Sequence, residues 1–336
     1  MKRAPAVDMI HLLGGFQISQ ALYAAARTGV ADRLLDGPRA VPELAAATGT
    51  RPELLRRLIG TLSAERVFTY DAGTDRAGLG PLGHTLAEGH PDSVRAVALM
   101  WMETHYLPFS GLYENLRDGV PAAERVLGEP FFDHLAADPE QVAGFSAAMR
   151  DLMHAVRRDA LGAVDLSGVR RLVDIGGADG TALAGLAAKY PGLRGTVFDL
   201  PHVVTAATAL LRERGLADRV DTSGGDFFEA VPGGADCYLA CFILHDWDDA
   251  RAARILRRVH EAAAPGARLF LVESVLGEGA APELGGLLDL TMMAMLGGRE
   301  RTREDWRELL TGAGFRLDRI VLTDGPMCVV EATHQP

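Results

Sequence analysis

At 336 residues the chain exceeds the roughly 100–200 residues of an ordinary domain, so two packed domains are expected. Its 48% hydrophobic and 24% charged content supports a large core and excludes global disorder. Acidic residues outnumber basic ones by 45 to 34, and no basic run exceeds a pair such as Arg56-Arg57, so no nucleic-acid partner is expected.

The amino terminus, Met1-Lys2-Arg3, could open a leader, but Asp8, His11, Gln17 and Gln20 interrupt the apolar stretch a leader needs. A cytoplasmic protein is expected. From residue 8 to about 160 helical spacing dominates, broken by turns at Gly37-Pro38, residues 78–83, Pro91 and residues 119–121. Within it, Val41 to Thr48, Arg51 to Leu62, Val67 to Tyr70 and a glycine-rich return give helix, turn, helix and β wing, a winged-helix pattern. Thr50 is the expected N-cap of the second helix, with Glu53 at the capping-box position. Arg51, Arg56 and Arg57 could face phosphates, yet Leu54, Leu55, Leu58 and Ile59 make this helix a core element, and the acidic balance favours a structural or dimer-forming role.

Trp101, Met102, His105, Tyr106 and Phe109 fall in one stretch, and Phe145, Met149 and Met153 recur every four residues on one helix face. That stripe suits plain core as well as a pocket wall. From Val169 onward strands and helices alternate. The apolar runs Arg171 to Ile175, Gly195 to Leu200, Cys237 to Leu244 and Ala267 to Val275 suit buried parallel strands, with helices such as Thr181 to Lys189 and Asp249 to Ala263 between them. Phe315 to Leu322 and Met327 to Ala332 are separated by too few residues for a crossover helix, so the last strand should be antiparallel. The fold class is therefore α/β, Rossmann-like and doubly wound. The longest clean apolar run, Cys237 to Leu244, is far shorter than the ~18 residues of a membrane span, so no membrane partner is expected. Cys237, Cys241 and Cys328 match no zinc or CxxC spacing and suggest reduced, small apolar residues; no metal is expected.

The most informative segment is Val173-Asp174-Ile175-Gly176-Gly177-Ala178-Asp179-Gly180-Thr181, which passes from strand through a glycine-rich turn into a helix. Its glycines let the backbone turn tightly, and the helix start offers free N–H groups. It is not the dinucleotide pattern GxGxxG, and Asp179 would face a pyrophosphate with a negative charge. An ammonium or a sulfonium suits the acidic loop better. Asp199, ahead of Leu200 at the next strand end, lies where a carboxylate accepts from ribose hydroxyls; Gly225-Asp226-Phe227 follows, with Asp226 able to accept from an adenine amino group beside an aromatic face. These are also ordinary strand-end positions, but three in order favour S-adenosylmethionine.

With these motifs the chain resembles, over nearly its whole length, the winged-helix small-molecule O-methyltransferases of plants and bacterial natural-product pathways, within the class I methyltransferases. The most specific piece is Leu244-His245-Asp246-Trp247-Asp248-Asp249, followed by Glu273 in Leu271-Val272-Glu273 and by Gly297-Gly298-Arg299-Glu300-Arg301-Thr302. The resemblance implies a seven-stranded, mostly parallel sheet. It implies His245 as the base that takes the acceptor's hydroxyl proton, with Glu273 and Glu300 orienting its ring. It implies that Asp199, Asp226, Phe227 and Cys241 line S-adenosylmethionine, with Trp247 near the adenine, alongside Asp174, Gly176, Gly177, Leu200 and Gly225 of the strand-end loops; S-adenosylhomocysteine is the product. It sets Met149, Met153 and Met293 against an aromatic or polyketide-like acceptor; Trp101, His105, Phe145 and Asp246 are further candidate contacts. It implies a homodimer packed through N-terminal helices such as His11 to Ala26. Residues 1–95 then form the winged-helix dimerisation domain, 96–160 linking helices and an acceptor lid, and 161–336 the methyltransferase domain.

The chemistry agrees with that assignment. A sulfonium methyl is already activated, so alignment is most of the work. A phenol with pKa near ~10 is protonated at neutral pH, and an imidazole with pKa ~6.5 makes a better nucleophile available. Alone, His245 would suit a loop residue bonded to a helix end; Asp246, Trp247, Glu273 and Glu300 in register favour the base. Two departures from the family pattern stand out. Ala178 replaces a third glycine, tolerable if its φ stays negative, and Cys241 replaces a hydrogen-bonding side chain. The same scaffold could instead carry C- or N-methylation, hydroxylation or rearrangement, and a ligand-sensing winged-helix regulator is a competing class.

Overall fold

The computed structural model describes residues 4–279 and 282–336, and the side chains of these except 282 and 283. The chain forms two compact units: one runs to Gly111 and takes in Ala123–Ala155, the other comprises Leu112–Ala122 and Val156–Pro336.

The first unit opens with α1 (Pro5–Leu13) and α2 (Gly15–Thr28). Helix α1 buries no residue, and Val7, Met9, Ile10, Leu12 and Leu13 are all at least half exposed in the single chain. Next come β1 (Arg39–Ala40), α3 (Val41–Thr48), α4 (Pro52–Ala64), β2 (Phe68–Asp71) and β3 (Arg76–Leu79), the strands ordered β1-β3-β2 and all antiparallel. This reproduces the helix, turn, helix and hairpin order expected from the sequence. Leu55, Ile59 and Leu62 of α4 lie on one face and bury against Val41, Leu44, Val67 and Phe68. The expected cap is a miss: Arg51, not Thr50, is the N-cap residue of α4, and no side chain caps it. Pro52 lacks an N–H, so one donor needs no cap, and the Thr50 hydroxyl lies 2.9 Å from that of Thr48. Arg56 donates to both oxygens of Asp75, at 2.8 and 2.7 Å, and Arg51 pairs with Glu53, so both are engaged within the fold.

Helix α5 (Arg95–Met100) continues into a π-helical turn at Trp101–His105, followed by α6 (Leu112–Asp118), α7 (Ala122–Leu127), α8 (Phe131–Ala136) and the long α9 (Pro139–Ala163).

In the second unit the elements run β4 (Arg171–Ile175), α10 (Thr181–Lys189), β5 (Arg194–Asp199), α11 (Val204–Glu213), β6 (Val220–Gly224), β7 (Cys237–Cys241), α12 (Asp249–Ala262), β8 (Arg268–Glu273), α13 (Pro282–Met295), α14 (Arg303–Gly312), β9 (Phe315–Val321) and β10 (Cys328–His334). Seven strands form one sheet in the order β6-β5-β4-β7-β8-β10-β9. The pairs from β6 to β8 are parallel, and β10 inserts antiparallel to both β8 and β9. The sheet is therefore mostly parallel with an antiparallel last strand, as expected from the sequence. Strand β7 is buried at every position, as a central strand covered on both faces must be. The expected strand to Leu244 ends early because Phe242 turns into the left-handed region, φ 56°, and Leu244–Asp246 form a single 3₁₀ turn. The sheet winds outward in opposite directions from β4 and β7, which creates a switch point at their carboxyl ends. Among the described residues no helix is long and apolar enough to cross a membrane.

Candidate active site

The residues singled out around the cofactor motif gather at the carboxyl ends of β4 to β7. Asp174 lies in β4, is 1% exposed, and its Oδ2 is buried with no hydrogen-bond partner. Burial pushes its carboxyl up to about 7, opposed by the Arg157 guanidinium. Gly176 takes φ 65°, and a Cβ there would lie 2.2 Å from Ile243 Cδ1, so only glycine lets the β4 turn nest against the segment after β7. The N–H groups of this turn are spent inside the protein: Gly176 and Gly177 donate to Phe198 O, Ala178 to Asp199 Oδ2, Gly180 to Gly177 O and Thr181 to Asp179 Oδ1. The expected free N–H groups are therefore engaged at these five positions, while an orphan carboxylate oxygen remains. That donor set fits a ligand carrying a cation better than a phosphate.

Ala178 departs from the expectation of negative φ, since it sits at φ 48°. From this conformation its N–H meets Asp199 Oδ2 at 2.9 Å, and an alanine takes it at a cost of about 1–2 kcal/mol. Asp199 also accepts from Leu200 N–H at 2.7 Å; burial raises its carboxyl, and the two backbone donors offset part of that rise. Each of its oxygens keeps a further lone pair for a hydroxyl. Gly225 N–H donates to Asp199 O, and Asp226 receives Phe228 N–H at 2.8 Å in a tight turn. Beside it Phe227, Phe228 and Trp247 form a perpendicular aromatic cluster, with Phe228 and Trp247 centroids 4.7 Å apart. Leu200 is 44% exposed. Cys241 is buried and its thiol is pushed well up by that burial, so it offers an apolar wall in place of a charged group.

The second cluster centres on His245, 5% exposed at the turn after β7. Its Nδ1 lies 2.7 Å from Glu300 Oε1, its Nε2 lies 3.4 Å from Asp246 Oδ1, and Glu273 Oε2 is 4.0 Å from Nδ1. With a carboxylate 2.7 Å away Nδ1 serves as a donor, and Nε2, which faces Asp246, is the nitrogen left to exchange its proton. Burial alone would lower the imidazole's pKa, but Asp246, Glu273 and Glu300 outweigh it and hold the ring up at about 10. This differs from an unperturbed value near 6.5 because three carboxylates surround one ring. Glu273 and Asp246 are raised in turn, mainly by burial.

The two glutamates divide the work in a way the sequence did not separate. Glu300 holds the ring. Glu273 Oε1 instead accepts from the backbone N–H groups of Ile243 and Leu244, at 3.2 and 2.9 Å, and so fixes the turn that carries the ring. Residues outside the sequence-derived set complete the frame. Arg301, fully buried, donates to Leu244 O at 2.8 Å, to Trp247 O at 2.9 Å and to Asp249 Oδ1 at 2.9 Å. A Cβ on Gly298 would lie 2.1 Å from His245 O, so that glycine permits the close approach of the two loops. Glu300 N–H is held by Asp289 at 2.8 Å, four residues before half-buried Met293 on α13. The motif Gly-Gly-Arg-Glu-Arg-Thr carried the only sequence hint of this frame.

The helical unit holds the remaining positions. Trp101, Phe145 and Met149 pack around Val97, Met100 and Ala148, Met153 is half-buried one turn further along α9, and the His105 ring is edge-on to Phe131, 5.4 Å away. These side chains serve at least as local core.

Comparisons with known proteins show the family. An O-methyltransferase domain model matches residues 109–316, and an O-methyltransferase dimerisation domain model matches residues 10–88. The chain belongs to the O-methyltransferase family. It is 37% identical over 324 residues to a phenazine O-methyltransferase of Lysobacter antibioticus, covering 96% of this chain and 95% of that protein. It is 38% identical over 332 residues to the O-demethylpuromycin-O-methyltransferase of Streptomyces alboniger, covering 96% and 88%. Among solved structures it is similar, at TM-score 0.79 and 31% identity over 94% of this chain and 96% of the other, to an O-methyltransferase from neocarzinostatin biosynthesis in complex with S-adenosylmethionine and 2-hydroxy-5-methyl naphthoic acid. As a family member the chain is an S-adenosylmethionine-dependent methyltransferase with a dimerisation domain.

Proposed function

We propose that this O-methyltransferase methylates a hydroxyl of an aromatic or polyketide-like small molecule, with His245 as the base. The observation that carries the reading is the imidazole whose Nδ1 is fixed 2.7 Å from Glu300 while Nε2 is turned to the other side. S-adenosylmethionine, when bound, supplies an activated methyl on a sulfonium. The chain's own residues then have three tasks. Asp174 and Asp199 meet cationic and hydroxyl groups, and Asp226, Phe227 and Trp247 receive a flat base; Gly176, Gly177, Gly225, Leu200 and Cys241 shape the walls. Glu300 keeps the imidazole in the tautomer that leaves Nε2 able to take a proton. Glu273 and Arg301 hold the turn so that Nε2 stays in place while the hydroxyl oxygen attacks.

The raised pKa of His245 acts on this proton transfer in two opposed ways. The surrounding carboxylates make the free imidazole a stronger base toward the acceptor's proton, at the cost of a smaller free-base fraction at neutral pH. The reactive complex holds one proton between Nε2 and the acceptor oxygen. A hydroxyl acceptor requires this base, whereas a carbon or nitrogen nucleophile has less need of it, which favours O-methylation.

Asp246 and Met293 are the acceptor contacts proposed in the cofactor unit; in the helical unit the family resemblance supports Met149 and Met153, and their clustering in the sequence adds Trp101, His105 and Phe145. Methionines adapt to a flat apolar ring. The dimerisation-domain match supports a homodimer, and the exposed apolar residues of α1 favour the N-terminal helices as its contact. We place residues 1–95, 96–160 and 161–336 in dimerisation, linking and catalytic roles, and expect a cytoplasmic enzyme. Incubating the protein with S-adenosylmethionine and a panel of phenolic and polyketide metabolites, followed by mass spectrometry, tests the reading: gain of one methyl on oxygen supports it, and methylation confined to carbon or nitrogen overturns it.

A further inference from the structure

Four non-glycine residues among those described have left-handed backbone, and Phe242 is the one aromatic among them, with φ 56°. A bulky side chain in that region is a true outlier, costing about 1–2 kcal/mol, and such residues persist where the surroundings over-determine them. The surroundings here are explicit. Phe242 N–H donates to Val272 O at 3.1 Å, the next two N–H groups are taken by Glu273 Oε1, and Arg301 holds Leu244 O. Ile243 is seated on the Gly176 turn with no room for a Cβ beneath it.

The consequence is a bend immediately after β7 that leads into the 3₁₀ turn carrying His245. The side chain of Phe242 is half-buried and lies outside the described cluster that packs against Tyr238 and Ala240 of β7. Its ring meets the imidazole instead, with centroids 5.2 Å apart and planes at 83°. Glu300 holds one edge of the imidazole and Asp246 lies 3.4 Å from the other; the perpendicular Phe242 ring adds a contact that resists tilting of the imidazole plane about the line between them.

We infer that Phe242 is a positioning residue of methyl transfer, its strained backbone delivering His245 to the site and its ring fixing the plane of the imidazole. This rests on the assignment of His245 as base. It predicts that Phe242→Gly, which relieves the backbone and removes the ring, leaves melting temperature equal or higher and affinity for S-adenosylhomocysteine within about twofold, yet lowers kcat by roughly ten- to a hundredfold. Phe242→Tyr, which keeps the ring, restores most of kcat.

The test combines calorimetry with S-adenosylhomocysteine, thermal unfolding, steady-state kinetics with an acceptor found in the panel, and NMR of the His245 ring in isotope-labelled protein. Loss of kcat with altered His245 ring shifts at unchanged homocysteine-product affinity supports the inference. Unchanged kcat in Phe242→Gly overturns it, as does a fall in kcat matched by equal losses of stability and product binding. Should the glycine variant fail to fold, Phe242→Leu serves: it keeps bulk without a ring, and wild-type kcat in that variant overturns the inference. If His245→Ala keeps its turnover, the base assignment has failed; if it loses turnover while both Phe242 variants keep theirs, the Phe242 inference alone has failed.

Discussion

Arg301 offers the most quantitative test of how the His245 turn is held. Its guanidinium is fully buried, and two of its bonds run to backbone carbonyls, of Leu244 and Trp247, on either side of His245. A hydrogen bond from a charged donor contributes about 1.5–3 kcal/mol. The third partner, Asp249, is 54% exposed, so that pair adds only about 0–1 kcal/mol. Arg301→Ala therefore removes two strong bonds, strips the cation from above the Trp306 ring and takes the charged donor from both carbonyls, with Leu244 O keeping Trp247 N–H at 3.4 Å. The expected destabilisation is about 4 kcal/mol, or a fall in melting temperature of about 8–15 °C for a unit of this size. Arg301→Lys, which cannot fork to both carbonyls, should lose about half as much. Thermal unfolding with and without S-adenosylhomocysteine measures the stability term, and kcat reports the turn. A melting temperature within about 2 °C of wild type, with unchanged kcat, would refute the clamp.

Two further outcomes follow from the same geometry. Ala178→Gly relieves left-handed alanine at φ 48° and should stabilise by about 1 kcal/mol, seen as a rise of a few degrees in melting temperature with cofactor affinity retained; a fall would contradict the strain. Because His245 is held up at about 10, the rate at limiting acceptor should rise with pH above neutrality, and Glu300→Gln, which removes one negative neighbour, should move that rise to lower pH while reducing its plateau. The linked stability has a definite sign: it is complete below the unperturbed pKa near 6.5 and is lost as pH rises through about 10, so the wild type should lose more stability than His245→Ala between pH 7 and 10. Equal losses would contradict the raised pKa.

The sheet and its cofactor edge were legible because their signals are local. A strand, a glycine turn and a helix lie within Val173 to Thr181, and the acidic residues Asp199 and Asp226 follow at successive strand ends. Strand β6 was not among the apolar runs because Val220 to Gly224 is a polar edge strand with one buried residue, so apolar content cannot mark it. The Thr50 cap failed because capping depends on which residue the chain turns at, and Pro52 moved that point to Arg51. Around His245 the ring's contact with Glu300 spans 55 positions, and only the family resemblance implied it. The separate task of Glu273, the Arg301 clamp, the close approach at Gly298 and the backbone of Phe242 depend on which atoms meet after folding, and residue type alone does not encode that.

His245 as the proton acceptor is the claim on which the rest depends. Single-turnover methyl transfer by His245→Ala, alongside calorimetric binding of S-adenosylhomocysteine, tests it most directly. The account predicts a rate lowered by about 10²–10⁴-fold with product affinity within about twofold of wild type. A variant that transfers the methyl group at nearly the wild-type rate would contradict it.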